Sequence, residues 1–140
     1  MGRNVDREGP IQKACYKFLC TQYPRALIFS VPNELASKVG GGDYTPAGKI
    51  KRQRMIRNVQ ARAKELGMLP GMSDLCMLLD GIFYAFEVKA EGNKQQDNQN
   101  DVQAVTEANS GVYAVVRSID DIKEVMKAHP AVIEHRGTIS

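Results

Sequence analysis

The stretch from Asp74 to Lys89, DLCMLLDGIFYAFEVK, constrains this 140-residue chain more than any other. Two apolar runs, Leu75–Leu79 and Ile82–Val88, flank Asp80-Gly81. A two-residue Asp-Gly between strand-like runs specifies a tight β-hairpin. The runs are nearly continuous rather than alternating, which predicts a hairpin inside a sheet covered on both faces. Charge occurs only at its edges: Asp74 where the first strand begins, Glu87 and Lys89 where the second ends. Strand periodicity puts Glu87 and Lys89 on one face. Antiparallel pairing brings the start of the first strand, and with it Asp74, beside the end of the second.

Two carboxylates and an ammonium at the end of a buried sheet are costly to desolvate without compensation. A structural ion-pair cluster is one account of them. The other is a metal site, since two carboxylates suit a hard divalent cation that takes oxygen ligands and keeps part of its water shell. Such an ion can hold a phosphate oxygen and activate water for in-line attack on phosphorus. A neighbouring lysine can orient that water or stabilise charge developing on the phosphoryl oxygens. An acid-x-Lys triplet by itself carries little, because Asp121-Ile122-Lys123 is a second one in the same chain. The context of apolar strand, tight turn and facing aspartate is what distinguishes Glu87-Val88-Lys89.

The formal charge of +3 matters less than its distribution. Between Lys49 and Lys64 stand Lys49, Lys51, Arg52, Arg54, Arg57, Arg62 and Lys64, with no acid among them. Such a field suits a polyanion, and nucleic acid is the expected partner. The length predicts one domain, residues 1–140, with a basic loop-helix insertion at about 33–67. The N-terminus lacks the apolar core of a signal peptide, and no run is long enough to span a membrane. Cys15, Cys20 and Cys76 are odd in number and form no C-x-x-C, as expected of reduced, mostly buried cytosolic thiols. His129 and His135 lack a partner motif for zinc, and the tail from His129 onward carries no signal.

In chain order, Pro10 is placed to open a first helix that runs to about Gln22, with Ile11, Ala14, Cys15, Phe18 and Leu19 at helical spacing. Leu27–Val31 reads as a strand. Glycines and prolines from Glu34 to Gly48, including Gly40–Gly42, predict a mobile loop. The basic segment has an apolar stripe of Ile50, Met55, Ile56, Val59, Ala63 and Leu66, and so reads as a helix ended by Gly67. After Lys89 a short loop leads to a helix from about Gln96 to Ala108, with Val102, Val105 and Ala108 inward. Gln95, Gln99 and Gln103 share one helical face, which matters only if it overlooks the acidic cluster. Val112–Arg117 is a strand, and Ser118-x-x-Asp121 caps a last helix lined by Ile122, Val125 and Met126. The whole predicts an α/β fold, a mixed central sheet flanked by helices.

That order, with Asp74 and then Glu87-Val88-Lys89, resembles the restriction-endonuclease-like core of the PD-(D/E)XK nucleases, and within them the VRR-NUC family of small phage and bacterial proteins. The resemblance runs from about Glu8 to Asp121. It rests on the ordered set of Glu8 with Ile11-Gln12, Ile28–Asn33, Gly71-x-x-Asp74, Glu87-Val88-Lys89, Gln99 and Gly111–Arg117. It implies a Mg2+- or Mn2+-dependent deoxyribonuclease, acting on branched DNA such as Holliday junctions, as a homodimer in a bacterial or phage-infected cytoplasm. By position, Asp74, Glu87 and Glu8 match the metal-binding acids, with the Val88 carbonyl. Lys89 matches the catalytic lysine and Gln99, rather than Gln103, the supporting glutamine. DNA contacts would fall to Lys49, Lys51, Arg52, Arg54, Arg57 and Arg62. Two positions depart from the family pattern: Ser73 replaces the proline before the motif aspartate, and Gln96 replaces a serine at the next helix start. A non-catalytic DNA-structure binder on the same fold is the competing function, and a small-molecule phosphodiesterase lacks a phosphate-binding glycine motif.

Overall fold

The computed structural model describes residues 6–31, 45–95 and 97–129. The expectations placed on Gly40–Gly42, Asn33, Gln96 and His135 lie outside them. In chain order the elements are α1 (Glu8–Gln22), β1 (Leu27–Ser30), α2 (Pro46–Glu65), β2 (Leu75–Leu79), β3 (Ile82–Val88), α3 (Asp97–Ala108), β4 (Val112–Val116) and α4 (Ile119–Met126). The four strands form one mixed sheet in the order β1-β2-β3-β4, antiparallel except for the parallel β3–β4 pair.

The hairpin forms as its turn chemistry dictates. Asp80 and Gly81 both take positive φ, 50° and 79°, the left-handed pair that a two-residue hairpin requires. The register pairs Leu75 with Phe86 and Leu79 with Ile82, so Asp74 lies next to Glu87 at the far end. One sheet face carries the main core. Leu75, Met77, Tyr84, Phe86, Val88 and Val116 pack there against Cys15 and Leu19 of α1 and Ile122 and Met126 of α4. The opposite face is covered by α3 over β3 and β4, where Ala85, Val102 and Tyr113 form a second cluster.

That second face departs from the expectation of full cover. Leu27, Phe29 and Leu78 lie on its β1–β2 half and are 61%, 41% and 45% exposed. The cause is the reach of α3, a 12-residue helix packed over β4.

Several element boundaries and faces also differ from expectation. α1 begins at Glu8, two residues before Pro10, because the Asp6 carboxylate accepts a hydrogen bond from Gly9 N at 2.8 Å. α2 begins at Pro46, so Gly48 belongs to its first turn and not to a loop. Thr45 caps it by accepting from Gly48 N at 3.1 Å, and Pro46 occupies the first helical position. The apolar stripe of α2 is largely exposed at Ile50, Met55, Val59 and Leu66. Its half-buried face is instead Arg52, Ile56, Gln60 and Ala63. The helix has few contacts with other elements among the described residues, so tertiary packing does not select the stripe. In α3 the buried residues are Gln99, Val102 and Thr106, whereas Val105 and Ala108 face outward. Ser118 caps α4 as expected, accepting from Asp121 N at 3.4 Å.

His129 is far from uninformative: it is fully buried. Its Nδ1 is hydrogen-bonded to the Tyr84 hydroxyl and its Nε2 lies 3.1 Å from Asp80 Oδ2. The end of α4 is thereby fastened to the hairpin turn, and burial pushes the Tyr84 phenol up to about 12. Truncating the imidazole leaves a buried hydroxyl without its partner and a cavity around it. His129→Ala should therefore lower unfolding free energy by about 2–4 kcal/mol in urea titration. Lys127→Ala, which removes an exposed pair with Glu124, should change it by less than about 0.5 kcal/mol.

Candidate active site

Residues at one end of the β2–β3 hairpin converge as the period-two pattern requires. Glu87 is an inward residue of β3 and Lys89 follows two positions later, on the same face and just beyond the strand. Both are buried, at 3% and 7% exposure. Lys89 Nζ lies 3.5 Å from Glu87 Oε1. Asp74, half-buried at the entrance to β2, accepts a hydrogen bond from Val88 N at 2.9 Å through its Oδ2. That bond crosses the hairpin and fixes one carboxylate beside the other.

α3 contributes the next contact. Gln99 Nε2 donates to Glu87 Oε1 at 2.6 Å. Gln103 does not join it; it accepts from Gln95 Nε2 at 3.0 Å and donates to Glu107 at 2.9 Å. The glutamine row thus splits, with one member turned to the acids and two tied to each other.

Glu8 takes a different place from Asp74 and Glu87. Its Oε1 accepts from Asn93 Nδ2 at 2.7 Å and, at 3.5 Å, from Ala90 N. Its charge still reaches Asp74, whose carboxyl it helps to raise. The residue therefore anchors the loop after Lys89 while adding negative potential to the site. Arg117 grips the same loop, donating to Ala90 O at 2.6 Å and Asn93 O at 2.9 Å. Asn93 had no signal in the sequence. Arg117 had one: a lone cation closing an apolar strand, in the same way that Lys89 follows β3.

Electrostatically the site crowds two carboxyls whose ionisation burial disfavours. Burial is the main cause that pushes the Glu87 carboxyl up to about 8, with the Asp74 charge acting in the same direction and Lys89 opposing it. Burial also raises Asp74, against the lowering effect of the Val88 N–H. Cys76, on the same sheet face, is raised to about 11 by burial and by Asp74. Three buried polar atoms here fall short of a well-formed hydrogen bond: Glu87 Oε2, with Asp74 beside it, and Ser73 Oγ and Tyr113 Oη, which lie near each other. Tyr113 is a further residue that the sequence did not single out for this neighbourhood, and Ser73 was marked only as a departure from the proline before the motif aspartate.

A buried carboxyl next to a second carboxyl fits a cation. No group of three His, Cys, Asp or Glu side chains gathers as a metal cluster among the described residues. Two carboxylates suffice for Mg2+, which is bound through one or two of them and keeps several waters. Asp74, Glu87 and the Val88 carbonyl are the donors that would hold it.

The basic helix lies off the sheet. Lys49, Lys51, Arg54, Arg57, Arg62 and Lys64 are exposed and Arg52 is half-buried.

No family model matches this sequence, and no curated protein matches it. Two solved structures do match in fold. One, described as a "VRR_NUC domain", has a TM-score of 0.53 at 16% identity and covers 89% of this chain and 99% of its own. The other, a "VRR_NUC domain protein", has a TM-score of 0.60 at 15% identity and covers 92% of each chain. The four-stranded mixed sheet with its flanking helices is an α/β fold of the kind that these two structures have. More narrowly, it is the VRR-NUC fold.

The raised carboxyl carries a consequence for stability. Glu87 in the folded metal-free protein holds its proton up to about pH 8, whereas the unfolded side chain releases it near the ordinary value of 4.5. Between those limits the folded state binds more protons, so stability is full below about pH 4.5 and is lost as pH rises towards 8. Melting in EDTA should therefore fall by several degrees from pH 5 to pH 8. Glu87→Gln, which cannot ionise, should flatten that dependence.

Proposed function

We propose that this protein is a divalent-metal-dependent DNA endonuclease that hydrolyses phosphodiester bonds, with branched duplexes such as Holliday junctions as its substrate and a homodimer as its working form. The observation that carries the reading is the convergence of Asp74, Glu87 and Lys89 at one end of the hairpin, with Gln99 holding Glu87, on a VRR-NUC fold.

Asp74, Glu87 and the Val88 carbonyl would hold Mg2+ or Mn2+. Such an ion, when bound, supplies Lewis acidity at a phosphoryl oxygen and makes water a better nucleophile. Each side chain has its own task. Gln99 occupies Glu87 Oε1, so Oε2, with Asp74 beside it, is the oxygen left to hold the ion. Lys89, held within 3.5 Å of Glu87, positions the attacking water and offsets charge growing on the phosphoryl group. Water oxygen bonds to phosphorus from the side opposite the leaving sugar and releases a proton to solvent. The P–O bond to that sugar breaks, and its oxygen takes a proton from solvent. Glu8, Asn93 and Arg117 keep the loop after Lys89 in place.

The basic residues of α2 would meet backbone phosphates, which gives affinity without sequence preference. Selection would then come from DNA shape, two active sites in a dimer suiting a four-way junction.

Labelled linear duplex, single strand, flap and four-way junction, each with Mg2+, Mn2+ or EDTA, test the proposal. The wild type should cut junctions fastest and only with metal. Lys89→Ala should lower the cleavage rate by roughly 10²- to 10⁴-fold while DNA affinity changes little. Asp74→Ala should abolish cutting and leave or improve binding. Tight junction binding with no cutting under any metal would contradict the enzymatic reading in favour of a DNA-structure binder.

A further inference from the structure

A groove of about 270 Å³ runs alongside the candidate active site, between the C-terminal half of α2 and the first turn of α3. Gln60 and Lys64 of α2 form one wall, the Met68–Met72 connection forms the floor, and Asn98 and Gln99 form the other wall. Gln99 belongs to both places, since its amide also holds Glu87 Oε1 at 2.6 Å. Whatever lies in the groove is therefore one residue away from the carboxylates.

The walls are held together by a close backbone approach. Gly71 has φ +81°, and a Cβ there would lie 2.7 Å from the main-chain carbon and oxygen of Asn98. The connection thus packs directly on α3, and glycine is what permits both the turn and the approach. The groove is shaped by packed backbone on this side and not by side chains alone.

Its chemistry is mixed in a particular way. Leu69 and Pro70 are exposed and offer flat apolar surface, and Leu69 is 54% exposed. Gln60 and Asn98 bring two side-chain amides, each able to donate and accept. Lys64 adds one cation at the end of a helix that has six other basic residues and no acid before it. Apolar faces, amide edges and one ammonium match a nucleobase, its hydrogen-bonding edge and an adjoining phosphate. The volume falls just below the roughly 300 Å³ at which pockets for drug-sized ligands begin. A groove of that size is on the scale of a single small ligand group and far too small for a duplex.

We propose that this groove is a subsite for a single unpaired deoxynucleotide of the DNA substrate, next to the phosphate at the active site. The proposal rests on the nuclease reading and extends it: the recognised feature of branched DNA is a base released from its pair beside the cut. Leu69 and Pro70 support the face of that base, Gln60 and Asn98 meet its edge, and Lys64 takes the next phosphate. A fully paired duplex leaves the groove empty and loses these contacts.

Equilibrium binding separates the two readings. Duplexes with one unpaired nucleotide, the same duplexes with an abasic sugar in its place, and fully paired controls are titrated in Ca2+ against wild type and Gln60→Ala/Lys64→Ala. Cleavage of the same set is then measured in Mg2+ and Mn2+. We expect the unpaired nucleotide to tighten binding by at least about fivefold over both the abasic and the paired forms. In the double variant that ratio should fall to about one, whatever happens to overall affinity. Equal binding of the three DNAs, or a ratio that survives in the variant, would overturn the subsite. A preserved ratio with no cleavage in any metal would keep the groove and remove the nuclease reading. Cleavage without the ratio would do the reverse, and absence of DNA binding would remove both.

Discussion

Glu87 is buried on β3, a strand hydrogen-bonded on both sides, and its carboxyl meets a second carboxyl, that of Asp74. A carboxylate so placed is unfavourable unless something neutralises it. The rest of the site answers to that constraint. Asp74 stands beside it because the Asp80-Gly81 turn sets the hairpin register, and the Val88 N–H then holds Asp74 in position. Gln99 and Lys89 both address the same oxygen, Oε1. Two carboxyls meeting beside a single ammonium are what support the proposed cation site.

The scaffold divides its work between the two sheet faces. α1 and α4 cover the face with the large apolar side chains, and His129 fastens the end of α4 to the turn of the hairpin. Rigidity therefore reaches the hairpin from its closed end, while the Asp74–Glu87–Lys89 cluster lies at the open end. There, Glu8 from α1 and Arg117 from the end of β4 grip the loop after Lys89. Preorganisation of this kind lets an electrostatic site act without first reorganising. α2 stands apart, with few contacts to the other elements described.

The hairpin, the order of elements along the chain and the cluster of Asp74, Glu87 and Lys89 were legible because local rules produce them, whereas Gln99 was picked out of its row by resemblance alone. A two-residue Asp-Gly turn sets register, and a period of two sets faces. What was illegible depends on residues far apart in the chain. Tyr84 and His129 are 45 positions apart, and Glu8 and Asn93 are 85. Neither pair leaves a trace in local pattern. Val105 and the α2 stripe were misjudged for a related reason: apolar residues at helical spacing show which face could be buried, but only a neighbouring element decides whether it is. Val105 lies outside the Gln99–Val102–Thr106 face that meets the sheet, and α2 has little to pack against.

The central claim is that Asp74 and Glu87 form a cation site, and anomalous diffraction from crystals grown with Mn2+ addresses it most directly. The account predicts a manganese peak at coordination distance from one oxygen of Asp74, from Glu87 Oε2 and from the Val88 carbonyl, with Glu87 Oε1 still held by Gln99. Its loss in Glu87→Gln crystals would follow. A site without the peak at saturating Mn2+, with Lys89 Nζ drawn between the two carboxylates, would show a structural ion-pair cluster and contradict the account.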